Sequence, residues 1–167
     1  NCEEGNCENG KGTLKYLNGS KYIGEFKGGI ENGNGTWLTN DGSEFIGQFL
    51  KGYISGDGKF THKDGSEYTG EFKNAKWHGK GVNLQTDYHD YYYLGEKFEK
   101  KRTKGDRIVA EWVGKWKNGY EIGEYIVNVY YFNSKQKLEF KRIIDVKFNS
   151  KGGTPKRRVS YWKMRDW

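Results

Sequence analysis

The chain has 167 residues, enough for one domain or for one repeat array with an appended piece. Its mean hydropathy of −1.03 and 34% hydrophobic content would suit a disordered polymer, but an aromatic content of 17% argues for a packed fold. With 25 glycines, one proline and one methionine, the composition excludes a helical protein, and no apolar run approaches the ~20 residues of a membrane-spanning helix. The net charge of +7 is uneven. Residues 1–90 hold 10 basic and 13 acidic side chains, net −3, which leaves 29 − 10 = 19 basic and 22 − 13 = 9 acidic, net +10, for residues 91–167. Such a split points the C-terminal half toward an anion or toward a merely solvated basic face.

In chain order, Cys2 and Cys7 come first, and no other cysteine follows. They suit a small disulfide loop sealing the first hairpin, and hence an oxidising, extracytoplasmic setting. A lipid-bearing Cys2 is the competing reading and would place the chain at a membrane periphery. The pair lacks the Cys-x-x-Cys redox spacing and the further ligands of a metal site. With no signal-peptide-like start, the opening at Asn1 is expected to be that of a mature or trimmed form.

From residue 10 a 23-residue echo sets in. Tyr22-Ile23-Gly24-Glu25-Phe26 returns as Phe45-Ile46-Gly47-Gln48-Phe49 and as Tyr68-Thr69-Gly70-Glu71-Phe72. The pairs Asn18-Gly19, Asp41-Gly42 and Asp64-Gly65 keep the same step, as do Gly12, Gly35, Gly58 and Gly81. A fixed period of this length means stacked small units, an architecture of extended binding surfaces. Each unit reads as a β-hairpin. Alternation puts Tyr22, Gly24 and Phe26 on one face with Ile23 and Glu25 on the other. A loop around Glu31-Asn32-Gly33 then leads into a return strand from Gly35 to Thr39, and Asp41-Gly42 is expected to make a two-residue turn. The strand glycines leave gaps over which rings of neighbouring repeats are expected to lie.

The strings YIGEFKGG (22–29), NGNGTW (32–37), NDGSEF (40–45) and WHGKGV (77–82) resemble the MORN (membrane occupation and recognition nexus) repeat over residues 10–82. Beyond that the pattern loosens. Tyr93–Phe98 looks like a further unit displaced by two residues, and Trp112–Gly119 like another only 19 residues on. The resemblance implies scaffolding, self-association and, in some members, contact with membrane lipid. It also implies that Tyr22, Phe26, Trp37, Phe45, Phe49, Phe60, Tyr68 and Phe72 line a concave aromatic face. Plain structural stacking is the competing account of those rings.

After residue 120 the glycine period ends. Tyr125–Phe132 and Lys137–Phe148 read as longer strands joined near Asn133-Ser134-Lys135, with Val159–Met164 as one more. Two basic groups stand out, Lys97, Lys100, Lys101, Arg102, Lys104 and Arg107, then Lys156, Arg157 and Arg158. They suit anionic lipid headgroups. Nucleic acid is the less favoured polyanion.

Catalytic signals are weak. His62 sits at an ordinary strand position, His78 is the residue that the MORN pattern expects, and His89 lacks a companion ligand. Glu25 and Glu71 suggest a carboxylate pair, but Gln48 at the matching position speaks for solvent-facing charge. No nucleophile elbow, P-loop or dinucleotide fingerprint is present.

The expected fold is all-β: an elongated, single-layer twisted antiparallel sheet of consecutive hairpins. A Cys-containing cap (1–9) would precede the array (10–120, regular to 82 and degenerate after), and a β-rich cap (121–167) would follow it. The expected function is a non-enzymatic interaction or scaffolding module for a protein partner or peptide segment, with no cofactor, catalytic residue or metal. Peripheral binding to anionic lipid through the basic half and service as an accessory module of an enzyme are the alternatives. The open sheet edges leave a homodimer available.

Overall fold

The computed structural model describes residues 1–86, 107–147 and 156–163. Among these are twelve strands and no helix: β1 (Cys2–Gly5), β2 (Asn9–Lys15), β3 (Lys21–Lys27), β4 (Ile30–Leu38), β5 (Glu44–Leu50), β6 (Tyr53–Thr61), β7 (Glu67–Lys73), β8 (Lys76–Thr86), β9 (Arg107–Lys117), β10 (Tyr120–Phe132), β11 (Leu138–Lys147) and β12 (Lys156–Lys163). They form one open sheet in which each strand pairs with the next along the chain. The chain divides into two compact units, Asn1–Asn83 with Lys115–Ile122, and Leu84–Gly114 with Gly123–Trp167.

In the first unit a row of glycines crosses the sheet at right angles to the strands. Gly5 pairs with Gly12, Gly12 with Gly24, Gly24 with Gly35, Gly35 with Gly47, Gly47 with Gly58 and Gly58 with Gly70. A ring lies on this row once per repeat. Tyr22 covers Gly35, Phe45 covers Gly47 and Gly58, and Tyr68 covers Gly81. The covering ring therefore comes from the same repeat as its glycine, not from a neighbouring one as the sequence suggested. The reason is the pleat: residue 22 pairs directly with residue 37, so its ring reaches two residues along that strand to Gly35.

The next repeat's Phe then closes on each ring. Phe26, Tyr22, Phe49, Phe45, Phe72, Tyr68 and Trp116 form a continuous chain of edge-to-face contacts, with centroids 4.8–5.3 Å apart and planes at 78–89°. Each such pair adds ~0.5–1.5 kcal/mol beyond the area buried. Trp116 stands where a fourth repeat would place its Phe, so the echo at Trp112–Gly119 is the end of β9 with the turn that follows it, 112 − 68 = 44 residues after the third. The rival echo at Tyr93–Phe98 lies outside the described residues.

The turns differ from expectation in two ways. The tight two-residue turn of each repeat is not Asp41-Gly42 but Gly28-Gly29, Lys51-Gly52, Asn74-Ala75 and Asn118-Gly119, with positive φ at both residues. This is the mirror-image turn whose twist matches the strands. Residues 31–33 are therefore inside β4 rather than in a loop. Asn18-Gly19, Asp41-Gly42 and Asp64-Gly65 instead end three-residue loops. Gly42 N–H donates to the Thr39 carbonyl at 3.2 Å, and Thr39 N–H to the Ser43 carbonyl at 2.9 Å. Only the glycine has positive φ, 90° at Gly42, as in a type I turn closed by a bulge. Asn133–Lys137 repeats this turn with Gln136 in the glycine's place. His62 is the first residue of such a turn, just past β6, rather than a strand residue.

Adjacent hairpins are also tied at their tips. Gly29 N–H donates to Glu8 O, Gly52 to Glu31 O, Ala75 to Ile54 O and Gly119 to Trp77 O, at 2.8–2.9 Å. At the opposite ends of the strands, Lys63 N–H reaches Ser43 Oγ at 3.2 Å. The Cys2–Cys7 disulfide closes the first hairpin, and Cys7 Sγ occupies the space that a side chain at Gly12 would need. It covers the row where no ring is available.

The second unit uses ordinary alternation. Ile108, Ala110, Val127, Val129 and Tyr131 are buried together, with Trp112 and Tyr125 against them. On the other face Glu111 accepts from Asn128 Nδ2 at 2.9 Å and from the Tyr130 hydroxyl at 3.3 Å. Strands are found where 125–132, 137–148 and 159–164 were expected, as β10, β11 and β12, with Phe148 and Met164 outside the described residues, and β10 leads into β11 through Asn133-Ser134-Lys135 as read from sequence.

Two outcomes follow from the row and the turns. A methyl at Gly47 would lie 2.6 Å from Phe45 Cζ and from Gly58 Cα, whereas one at Gly42 meets nothing within 4 Å and only the positive φ resists it. Gly47→Ala is expected to destabilise by ~1–3 kcal/mol or more and Gly42→Ala by ~1–2 kcal/mol, which urea unfolding midpoints will check. Asp41 is held down at about 2, first by the Thr39 hydroxyl and then by Ser43 N–H. A depressed carboxyl contributes stability above its unfolded value of ~3.9, lost as pH falls through the folded value. Asp41→Asn, the residue type found at Asn18, should flatten the loss between about pH 4 and 2; carboxyl NMR titration of Asp41 tests the premise.

Candidate functional site

Each β4-type strand carries a bulge opposite the residue after its row glycine. The register slips between Gly24 and Phe26 and again between Gly47 and Phe49. Two extra residues bow out there and leave N–H groups unpaired. Gln48 Oε1 accepts from Asp57 N–H at 3.3 Å and Glu71 Oε1 from Lys80 N–H at 2.9 Å, while the Glu25 carboxylate lies against Gly33. The fourth residue of the echo is thus a bulge acceptor at Gln48 and Glu71, not merely solvent-facing charge. This explains why Gln serves as well as Glu: an oxygen is required, not a charge. From the ring side, the Tyr22 hydroxyl donates to Glu25 O at 3.0 Å and Tyr68 to Glu71 O at 3.2 Å.

The eight rings expected to form an aromatic face have two fates. Tyr22, Phe26, Phe45, Phe49, Tyr68 and Phe72 are buried in the ring chain, each at most 6% exposed. Trp37 and Phe60 are half-buried. The second residue after each tight turn differs from repeat to repeat. In the third repeat Trp77 stacks flat on Tyr68, centroids 4.4 Å apart and planes 4° from parallel. In the second the equivalent residue is Ile54, which is buried. In the first it is Glu31, and Tyr22 is fully buried there all the same.

A groove of about 410 Å³ opens beside Glu31. Its walls include Tyr16, Tyr22, Trp37, Phe49, Tyr53 and Ile54, and Glu31 enters from one side. The Tyr16 hydroxyl donates to Glu31 Oε1. The other oxygen, Oε2, lies 3.5 Å from where a side chain at Gly52, itself a lining residue, would begin. Among the described residues no Lys or Arg pairs with Glu31; the ion pairs there are Lys15 and Lys21 with Glu3, and Lys59 with Glu67. Burial, then the bond to Glu31, pushes the Tyr16 phenol well above its ordinary range. Burial and the Glu31 charge raise Tyr22 to about 12, against the opposing effect of its bond to Glu25 O. Both phenols stay protonated at neutral pH, and Tyr16 acts as donor to Glu31.

Of the expected face, then, Tyr22, Trp37 and Phe49 reach the groove. Tyr16, Glu31 and Tyr53, which is 61% exposed, were not singled out from sequence. Their signal was there as a one-time departure from the period: Tyr16 against Thr39 and His62, Glu31 against Ile54 and Trp77. Of the basic groups, Lys97, Lys100, Lys101, Arg102 and Lys104 lie outside the described residues, as does His89. Arg107 is exposed in β9 with its guanidinium 5.0 Å above the Phe132 ring. Lys156, Arg157 and Arg158 are on β12, opposite Lys147, Val146 and Asp145 of β11. His78 Nδ1 is buried and without a hydrogen-bond partner among the described residues, and no group of three or more His, Cys, Asp or Glu there could hold a metal ion.

A family model described as the MORN repeat matches residues 22–44, 45–67 and 68–82. Repeats of this kind are typically protein- or membrane-interaction modules. No curated protein matches the chain in sequence.

The phenol pKa values give a test of the groove's electrostatics. A raised tyrosine contributes stability that is present below its unfolded value of ~10 and lost as pH rises through the folded value, for Tyr22 about 12. Glu31→Gln keeps an acceptor for Tyr16 but removes the charge, so Tyr22 should titrate lower, still above ~10 because burial remains. Ring-carbon NMR titration of Tyr22 in both proteins reads this directly.

Proposed function

We propose that this chain, whose residues 22–82 are three consecutive MORN repeats, is a non-enzymatic interaction module that receives an extended segment of a partner protein in the groove beside Glu31. The observation that carries the reading is the open aromatic groove itself. At the equivalent position of the third repeat Trp77 stacks on Tyr68, whereas in the first Glu31 stands there and lines the groove. Rigid rings such as Tyr16, Trp37 and Tyr53 offer large contact area at low entropic cost, the usual make-up of interaction hot spots. The disulfide between Cys2 and Cys7 supports an oxidising, extracytoplasmic setting.

A second reading rests on charge. Residues 91–167 carry net +10, which supports attachment to an anionic membrane surface, each Lys or Arg near the surface being worth about 1 kcal/mol. Ionic strength separates the two, since charge-based attachment is screened and ring burial is not.

Selection of a displayed random-peptide library on the full chain tests the first reading. Binding peptides should tolerate high salt and lose at least about tenfold in affinity, ~1.4 kcal/mol, on Trp37→Ala, with circular dichroism confirming that the variant keeps its sheet. Peptides indifferent to that change, or none at all, would overturn the groove as the site. Flotation of the chain only with anionic vesicles, and only at low salt, would move the assignment to the basic half.

A further inference from the structure

The groove is not simply apolar, and its chemistry narrows what it accepts. We infer that it is a receptor for one cationic side chain, lysine or arginine, of the partner segment; this deepens the interaction-module reading and rests on it. Three observations carry the inference. First, the carboxylate of Glu31 stands among rings, bonded through Oε1 to the Tyr16 hydroxyl, with no cation paired to it among the described residues. A carboxylate in such surroundings forgoes part of its hydration and gains from an arriving opposite charge more than an exposed one would. Second, Oε2 is left beside Gly52 on the groove wall, where the missing side chain gives an incoming group room. Third, Trp37, half-buried, and Tyr53, largely exposed, also line the space. Ring faces attract a cation within about 6 Å of their centroids, tryptophan most strongly.

The pairing of these features is local to the first repeat. At the equivalent positions of the second and third repeats stand Ile54 and Trp77, which carry no acid. A long basic side chain fits both halves of the site, because its methylene stem can lie along rings while its head reaches the carboxylate.

The test uses the full chain and pentapeptide pools whose central residue is fixed as Lys, Arg, norleucine or Glu, followed by the Trp37 indole N–H resonance. The Lys or Arg pool should shift Trp37 at concentrations at least about tenfold lower than the norleucine pool, which has the stem without the charge. That preference should shrink to less than about threefold in Glu31→Gln, a variant that preserves the acceptor for Tyr16. Norleucine binding as well as Lys and Arg, or a preference for Glu, would overturn the cation assignment while leaving the interaction-module reading in place. No shift with any pool would overturn both. A Trp37 shift produced by phosphatidylcholine vesicles and by no peptide would show the cation to be a lipid headgroup, against the peptide side chain inferred here.

Discussion

The first unit depends on one close approach. Glycines aligned across seven strands let an aromatic ring lie flat on the backbone, and each ring is then gripped edge-on by the phenylalanine of the next repeat. A single-layer sheet has no second layer to bury its apolar face. Here the side chains of one face supply that layer themselves, which is why so low a hydrophobic content suffices. The 23-residue period follows from this arrangement. A repeat must contain one ring, one closing phenylalanine and two row glycines, and must return the chain to the same lateral position.

Polar groups make this possible at the places where the sheet is irregular. The bulges that let each return strand bow out would strand backbone N–H groups, were it not for Gln48 and Glu71 reaching across to them. Tyr22 and Tyr68 bond the carbonyls from the ring side. Phe45 lacks that hydroxyl, so the second repeat depends on packing alone at the same point. Stability and the candidate site are thereby linked. The groove lies where Glu31 stands in place of the apolar residue found at the equivalent positions, Ile54 and Trp77.

Much of the fold was legible because it is periodic. Gly24, Gly47 and Gly70, the ring positions 22, 45 and 68, and the Asn-Gly and Asp-Gly turns recur in register, and recurrence separates signal from local accident. Two kinds of feature escaped. Glu25, Gln48 and Glu71 read as solvent-facing because a bulge is a property of backbone pairing, and a polar side chain in alternation looks the same whether or not it serves one. Glu31 was lost for a connected reason. Placing the loop at 31–33 took it out of the strand, although Gly28-Gly29 is the pair whose freedom at positive φ makes the turn. Once β4 begins at Ile30, comparison with Ile54 and Trp77 shows which position has changed. The rings themselves could be found from sequence, but not which were buried, since every one of them alternates correctly.

The tip hydrogen bonds have a consequence for how such an array changes length. Each hairpin finds its place from its immediate predecessor alone: Gly52 from Glu31, Ala75 from Ile54, Gly119 from Trp77. The last of these spans 119 − 75 = 44 positions where the regular spacing is 23, yet the bond and the ring contact of Trp116 with Tyr68 are the same as before. The register is thus carried by neighbours in space and is indifferent to the count of residues between them. Seams between repeats are therefore natural points of graft, where foreign sequence can enter a chain of this kind without disturbing the hairpins on either side.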